Sequence, residues 1–384
     1  MVEHLLMRGE RPEAIRILDL TPPTRRNVVD SSVEYIRTDV TKQAAVQEAF
    51  EKQWASDVEK LPLTVFHCAA FIRPSDRKAD FLPPYIKNNI QGTKVVLQAA
   101  RAANTSCFIA TSSASIAIRE ISYFPWPWQR WPRNLFQVLP NAEPENLRAP
   151  LENFRSCYAW SKAQVEIAVR DANDPQSGFL TGAIRPGHAI YGHGIEATTS
   201  LTYDYLRRGG SPSWLHGAVA NFVDAQNVSI GHLAYEDALL NNKNAGGKAY
   251  CVTDPNPPIT YGHLYQTLTT LAHPSTPIKF PKIPSVLMLL LSYLVEAYDL
   301  FRIRYVPRLP QLSSDISMVQ PAMFQMCTLH IAYDDSAARK EIGYRAPVTT
   351  LEGFAASVLD WNNSVEGSAN AKVTRGGEGG LAVP

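Results

Sequence analysis

The sequence predicts an α/β protein, a doubly wound parallel sheet followed by a smaller C-terminal lobe. Three observations carry this. The first half alternates short apolar β-type runs with amphipathic helical stretches. A chain of 384 residues, 45% hydrophobic and 19% charged, has enough apolar content for a large buried core. The residues best suited to chemistry follow the apolar runs, and ligands of open α/β sheets bind at the carboxyl ends of strands.

The predicted strands are 14–20, 34–37, 64–68, 107–112 and 180–185, with helices at 42–56, 85–103 and 158–171. Residues 1–187 are expected to form the sheet domain and 188–362 the lobe, which contains an apolar segment at 283–302. Residues 363–384 are rich in Gly, Ser and small side chains and read as a disordered tail.

Composition excludes several classes. The formal net charge is +1 and no long Lys/Arg run occurs, so no nucleic-acid partner is expected. Cys68, Cys107, Cys157, Cys251 and Cys327 are scattered singly, which argues against a disulfide framework or a metal site and for a reducing compartment. The opening M-V-E-H-L-L-M-R-G-E lacks a signal peptide's apolar core, so export is not expected.

Tyr158 and Lys162 stand four residues apart in Y-A-W-S-K, which puts them on one helix face. A free phenol has a pKa of about 10, and a fixed cation beside it favours the phenolate. A tyrosine tuned in this way takes the proton of an alcohol while hydride leaves the carbinol carbon. Among 16 tyrosines the spacing also arises by chance, as a packed tyrosine beside a solvated lysine.

The context decides between the two. V-F-H-C-A-A (residues 65–70), N-N-I-Q-G-T-K (88–94), C-F-I-A-T-S-S-A-S (107–115) and G-A-I-R-P-G-H-A-I-Y-G (182–192) occur in this order around Y-x-x-x-K. Together they resemble the extended short-chain dehydrogenase/reductase superfamily, and within it the 3β-hydroxysteroid dehydrogenase and sterol-4α-carboxylate 3-dehydrogenase family. The resemblance runs from about Val2 to Trp361 and includes the closing Y-D-D-S-A-A-R-K-E-I-G-Y at 333–344.

It implies a Rossmann-type sheet and a set of roles. Ser113 steadies the substrate oxygen, with Ser112 its near alternative; Tyr158 is the proton acceptor; Lys162 also binds the nicotinamide ribose; Asn89 helps to hold the lysine and its water. Asp19 is expected on the adenosine ribose hydroxyls, which favours NAD over NADP, although Arg25 and Arg26 nearby suit a phosphate. Asp39 is expected at the adenine, His67, Ala69 and Ala70 against the ribose, and Arg185 and Pro186 along the nicotinamide. Each has a plainer reading: Asp19 and Asp39 as turn or helix caps, the latter with Thr41, and Asn89 as a solvated helix residue.

The superfamily opens with a strand and a G-x-x-G-x-x-G turn that carries the cofactor pyrophosphate. This chain contains no such turn, and its first residues resemble the helix that follows it. By that comparison about 15 to 20 residues of the first β-α unit are missing. Because the other site residues stand, this reads as a clipped sequence rather than a lost function.

Two apolar features point to the substrate. Residues 124–136 hold three Trp, two Phe and three Pro, a composition for a loop that covers a bulky flat substrate, enters a membrane headgroup region, or packs beneath itself. The segment 283–302, interrupted by Glu296 and Asp299, is too short in its apolar run to span a bilayer. It reads as an interfacial helix flanked by Lys279, Lys282, Arg302 and Arg304, with a buried lobe helix as the competing reading.

The expected activity is NAD-dependent oxidation of a 3β-hydroxyl on a sterol, steroid or triterpenoid, with loss of a 4α-carboxylate as carbon dioxide where one is present. The alternatives are reduction of another apolar ketone or aldehyde, or a non-catalytic membrane-associated relative. The expected partners are an apolar substrate, a membrane surface and a second copy in a homodimer. The expected location is the cytoplasmic face of the endoplasmic reticulum or the cytoplasm.

Overall fold

The computed structural model describes residues 1–123, 128, 132–141, 144, 147–192, 201–255, 257–274 and 277–363. The aromatic stretch 124–136 is therefore described only at Trp128 and from Pro132 onward, and the tail expected from residue 363 lies outside the described residues after Asn363.

The chain opens with α1 (Val2–Arg8), β1 (Arg16–Asp19), α2 (Arg26–Val29), β2 (Glu34–Arg37), α3 (Gln43–Glu51) and β3 (Thr64–His67). A helix in three pieces follows: α4 (Pro83–Tyr85), a π-helical turn at Ile86–Gln91, and α5 (Gly92–Ala102). Next come β4 (Cys107–Thr111), β5 (Phe136–Leu139), α6 (Cys157–Asp171), β6 (Leu180–Pro186) and β7 (Ile190–Tyr191). Then α7 (Leu201–Arg208), β8 (Val219–Ala220), β9 (Val223–Asp224), α8 (Ala225–Asn241), β10 (Ala249–Val252), β11 (Ile259–Thr260) and α9 (Tyr261–Leu271). Last are α10 (Ser285–Arg304), α11 (Ser314–Met318), α12 (Pro321–Thr328), β12 (His330–Tyr333), α13 (Ser336–Glu341) and α14 (Thr350–Asn363).

The central sheet is parallel, in the order β10-β6-β4-β3. Strand β4 is an apolar run covered on both faces, as a central parallel strand must be. Val96, Leu97 and Ala100 of α5 recur at helical spacing and pack with Val46 of α3 and Val165 and Val169 of α6 on one face. Tyr235 and Leu239 of α8 cover the other. A Cβ on Gly182 would fall 2.1 Å from the Tyr235 hydroxyl, so only glycine lets α8 lie this close to β6.

Strands β1 and β2 pair in parallel as a separate two-stranded sheet, Arg16 opposite Glu34. In a doubly wound sheet of this order one strand would stand between β1 and β3; here those two are not hydrogen-bonded to each other. The predicted helix 85–103 is real but broken, because Asn89 on the π turn commits its amide to the Phe71 backbone. Strand β10 and helix α8 lie within residues 188–362 yet complete the sheet domain.

The lobe has its own core of Tyr191, Phe222, Tyr261, Leu264 and Phe354. Helix α10 is built inside out relative to an ordinary amphipathic helix. It buries Ser292, Val295, Glu296 and Asp299 while Val286, Leu287, Leu290, Leu291 and Leu294 stand exposed, Leu294 by 68%. Glu296 receives Arg77 side-on (2.7 and 2.8 Å), and Asp299 accepts from Gln320 (3.1 Å). No described helix is long and apolar enough to cross a membrane.

Candidate active site

Tyr158, Lys162 and Glu166 follow at intervals of four on α6, so one face of the helix meets the carboxyl end of β4. The Ser156 hydroxyl caps the helix by accepting from Ala159 N (3.2 Å). The Lys162 ammonium, only 4% exposed, donates to the Thr111 carbonyl (2.7 Å). One turn on, Glu166 accepts the Ser112 hydroxyl (2.7 Å) and closes a bidentate pair with Arg185 of β6 (2.9 and 2.5 Å). Thr111 at the end of β4 and Ser112 just past it thus meet consecutive turns of α6, and this register fixes where Tyr158 stands.

Ser113 caps the 3-10 turn that follows β4, bonds Ser115 (2.8 Å) and presents its hydroxyl to the Tyr158 phenol. Ser112, the alternative, points the other way, to Glu166. The buried His232 donates from Nδ1 to the Val228 carbonyl (2.9 Å), so its Nε2 accepts the Thr111 hydroxyl (2.8 Å). Asn89 holds the Phe71 backbone and donates to Ser161 (2.9 Å), which puts it beside the lysine's helix rather than on the lysine itself.

The electrostatics correct one expectation. The Lys162 nitrogen lies 6.0 Å from the Tyr158 ring centroid and is not what sets the phenol. Burial pushes Tyr158 up to about 12, with the Ser113 hydroxyl pulling the other way. Burial also pushes Lys162 down to about 8, against the opposing pull of Cys68. Spacing put the pair on one face, but it could not reveal how little water reaches that face.

The cofactor-side residues divide. Asp19 stands exposed at the end of β1 and accepts the Thr21 amide (3.0 Å), and Asp39 accepts the Thr41 amide (2.9 Å) and hydroxyl (2.8 Å). Both therefore form the turn caps that were their plainer reading. The buried His67 turns onto Thr93 (2.8 Å) and is held neutral by burial, down to about 3, while Ala69 is exposed and Ala70 half-exposed beyond it. The Arg185 guanidinium is closed on Glu166 inside the domain, so its side chain is engaged within the protein.

Among the described residues the Lys162 ammonium makes one hydrogen bond with its three donors, so two remain for a ligand. Sequence reasoning missed Glu166, Thr111, His232 and Arg155. Glu166 had a signal, an acid in step with Tyr158 and Lys162 on an inward face.

A Tyr/Lys pair with a serine at a parallel strand end defines an NAD-dependent oxidoreductase acting on CH–OH groups. A family model, the 3-beta hydroxysteroid dehydrogenase/isomerase family, matches residues 1–281, and the chain belongs to that family. It is 28% identical over 374 residues to sterol-4-alpha-carboxylate 3-dehydrogenase, decarboxylating, of Mus musculus, covering 94% of this chain and 87% of that protein. It is 26% identical over 295 residues to 3beta-hydroxysteroid-dehydrogenase/decarboxylase isoform 3 of Arabidopsis thaliana, covering 74% of this chain and 46% of the relative. Among solved structures, UDP-glucose 4-epimerase of Thermus thermophilus in complex with NAD matches with a TM-score of 0.58 and 18% identity over 95% of each chain. MoeE5 in complex with UDP-glucuronic acid and NAD matches with a TM-score of 0.62 and 14% identity over 95% of each chain. At these identities the structural matches speak to the fold alone.

Proposed function

We propose that this chain oxidises the 3β-hydroxyl of a sterol or triterpenoid. The observation that carries the reading is the Ser113 hydroxyl facing the Tyr158 phenol, with Lys162 one helical turn on, at the end of β4. Ser113 hydrogen-bonds the substrate oxygen, Tyr158 takes its proton, and Lys162 holds the nicotinamide ribose. NAD supplies the hydride acceptor. Asp19 favours an adenosine ribose with free hydroxyls. Asp39, His67, Ala69, Ala70, Pro186 and Asn89 keep the supporting roles that the family resemblance gives them.

Where the substrate carries a 4α-carboxylate, oxidation makes a β-keto acid. Its C–C bond to the carboxylate then breaks, the electron pair passes to the ketone as an enolate, and carbon dioxide leaves without a further catalytic residue. The leucine face of α10 rests on a lipid surface, the cytoplasmic side of the endoplasmic reticulum, from which such a substrate is drawn. The exposed Lys279 and Lys282 ahead of the segment suit anionic headgroups.

The same residues can run in the reverse direction. A phenol at about 12 is protonated at neutral pH and ready to donate, as reduction of an apolar ketone requires. Tyr158→Phe tests both directions at once. It removes only the hydroxyl, so turnover falls about 100- to 10,000-fold with the fold intact. Parent-rate turnover by the variant would remove Tyr158 from the mechanism.

A further inference from the structure

Arg155 is 6% exposed and lies three residues before Tyr158, immediately ahead of the Ser156 cap of α6. Its Nη1 donates to the carbonyl of Ala322 at the start of α12 (3.2 Å). Its Nε and Nη2 are buried and have no hydrogen-bond partner among the described residues. The side chains that face it are Tyr123, Cys327 and Tyr333, none of them an anion at neutral pH, and on the strand side the buried His188. A guanidinium stays charged in proteins, and a buried charge with unmade hydrogen bonds is strongly unfavourable. Such a group calls for a partner.

The shape of that partner can be read from the rest of the molecule. Nε and Nη2 form one edge of the guanidinium. In Arg77 with Glu296, Arg185 with Glu166, Arg304 with Asp80 and Arg339 with Asp335, this same edge grips both oxygens of a carboxylate. In Arg155 the edge is bare while the other nitrogen is anchored to the lobe. Close to it stands an aromatic group: the half-buried Tyr123 meets Phe324 of α12 edge-on (5.6 Å), and Phe324 stacks on the half-buried Trp214 (5.6 Å). Cation and aromatic surface adjoin the helix start that carries Tyr158.

We propose that Arg155 is a substrate-binding residue whose Nε/Nη2 edge receives a carboxylate borne on a flat apolar skeleton. This deepens the function proposed above and rests on it: the preferred substrate is the acid, and Arg155 selects it over the same alcohol without the acid.

The test is calorimetric titration, with and without NAD, of a 3β-hydroxy-4α-carboxy sterol and its methyl ester into the full chain and into Arg155→Met and Arg155→Lys. The parent binds the acid at least about tenfold more tightly than the ester, as one charge-assisted bidentate pair provides. Arg155→Met abolishes that ratio and leaves ester and NAD affinity unchanged. Arg155→Lys restores only part of it, since an ammonium has no fork. Equal affinity of the parent for acid and ester overturns the proposal whatever the variants do. So does loss of NAD affinity in Arg155→Met with the acid-to-ester ratio kept, which would assign the guanidinium to the cofactor. Turnover is scored separately: oxidation of the ester but not the acid defeats Arg155 alone, whereas oxidation of neither defeats the 3β-alcohol reading.

Discussion

Helices α6 and α10 both turn charged side chains inward, and they differ in what lies on their other side. Around α6 the buried Lys162 and Glu166 are ringed by protein, and their charges are engaged by the strand ends and by Arg185. Along α10 the buried Glu296 and Asp299 act as tethers to Arg77 and Gln320, and the leucines are left facing outward. Buried charge in the first helix sets chemistry and register. In the second it is a mooring that frees an apolar face for another phase.

Four measurements sharpen or break this contrast. Glu166→Gln strands the Arg185 guanidinium in the core and should cost about 3–5 kcal/mol in denaturant unfolding. A loss under about 1 kcal/mol would mean that α6 is not registered by that pair. Lys162→Met removes a buried charge and should stabilise the protein by about 3 kcal/mol at pH 7 while ending turnover. The sign follows from a folded pKa near 8 against 10.5 for the free side chain. Below about pH 8 the folded state bears the full penalty of the charge, and the penalty fades as pH rises toward 10.5, so the gain should vanish there. A gain that is flat with pH would defeat it.

Smaller effects belong to α10. Glu296→Gln should cost about 1–2 kcal/mol, because Arg77 keeps some contact with water and can be resolvated. Leu290→Lys with Leu294→Lys should change stability by less than about 0.5 kcal/mol while cutting sedimentation with anionic phospholipid vesicles. Destabilisation by several kcal/mol would instead place those leucines in a protein contact.

Much of the site was legible because it is local. Tyr158 and Lys162 share a face by helical geometry, Ser113 follows an apolar run, and strand 34–37 was placed to the residue. What was not legible depends on distance. Glu166 finds Arg185 across a helix and a strand, and the bare edge of Arg155 follows from a lobe helix some 167 positions away. The Tyr158 phenol escaped for the same reason: its pKa reports burial by the whole fold, whereas spacing reports only neighbours. Asp19 and Asp39 each accept a hydrogen bond from their own turn, a local contact that leaves the ligand role assigned to a strand-end acid a matter for measurement.

The break between β1 and β3 makes a seam. Among the described residues its near side is joined to the rest by side chains, among them the ion pair of Arg8 with Glu236 (2.6 Å) and Val46 of α3 packing on α5, and not by a continuous ladder. Strands β1 and β2 are thus positioned by side chains, and each of those contacts can be weakened singly by substitution.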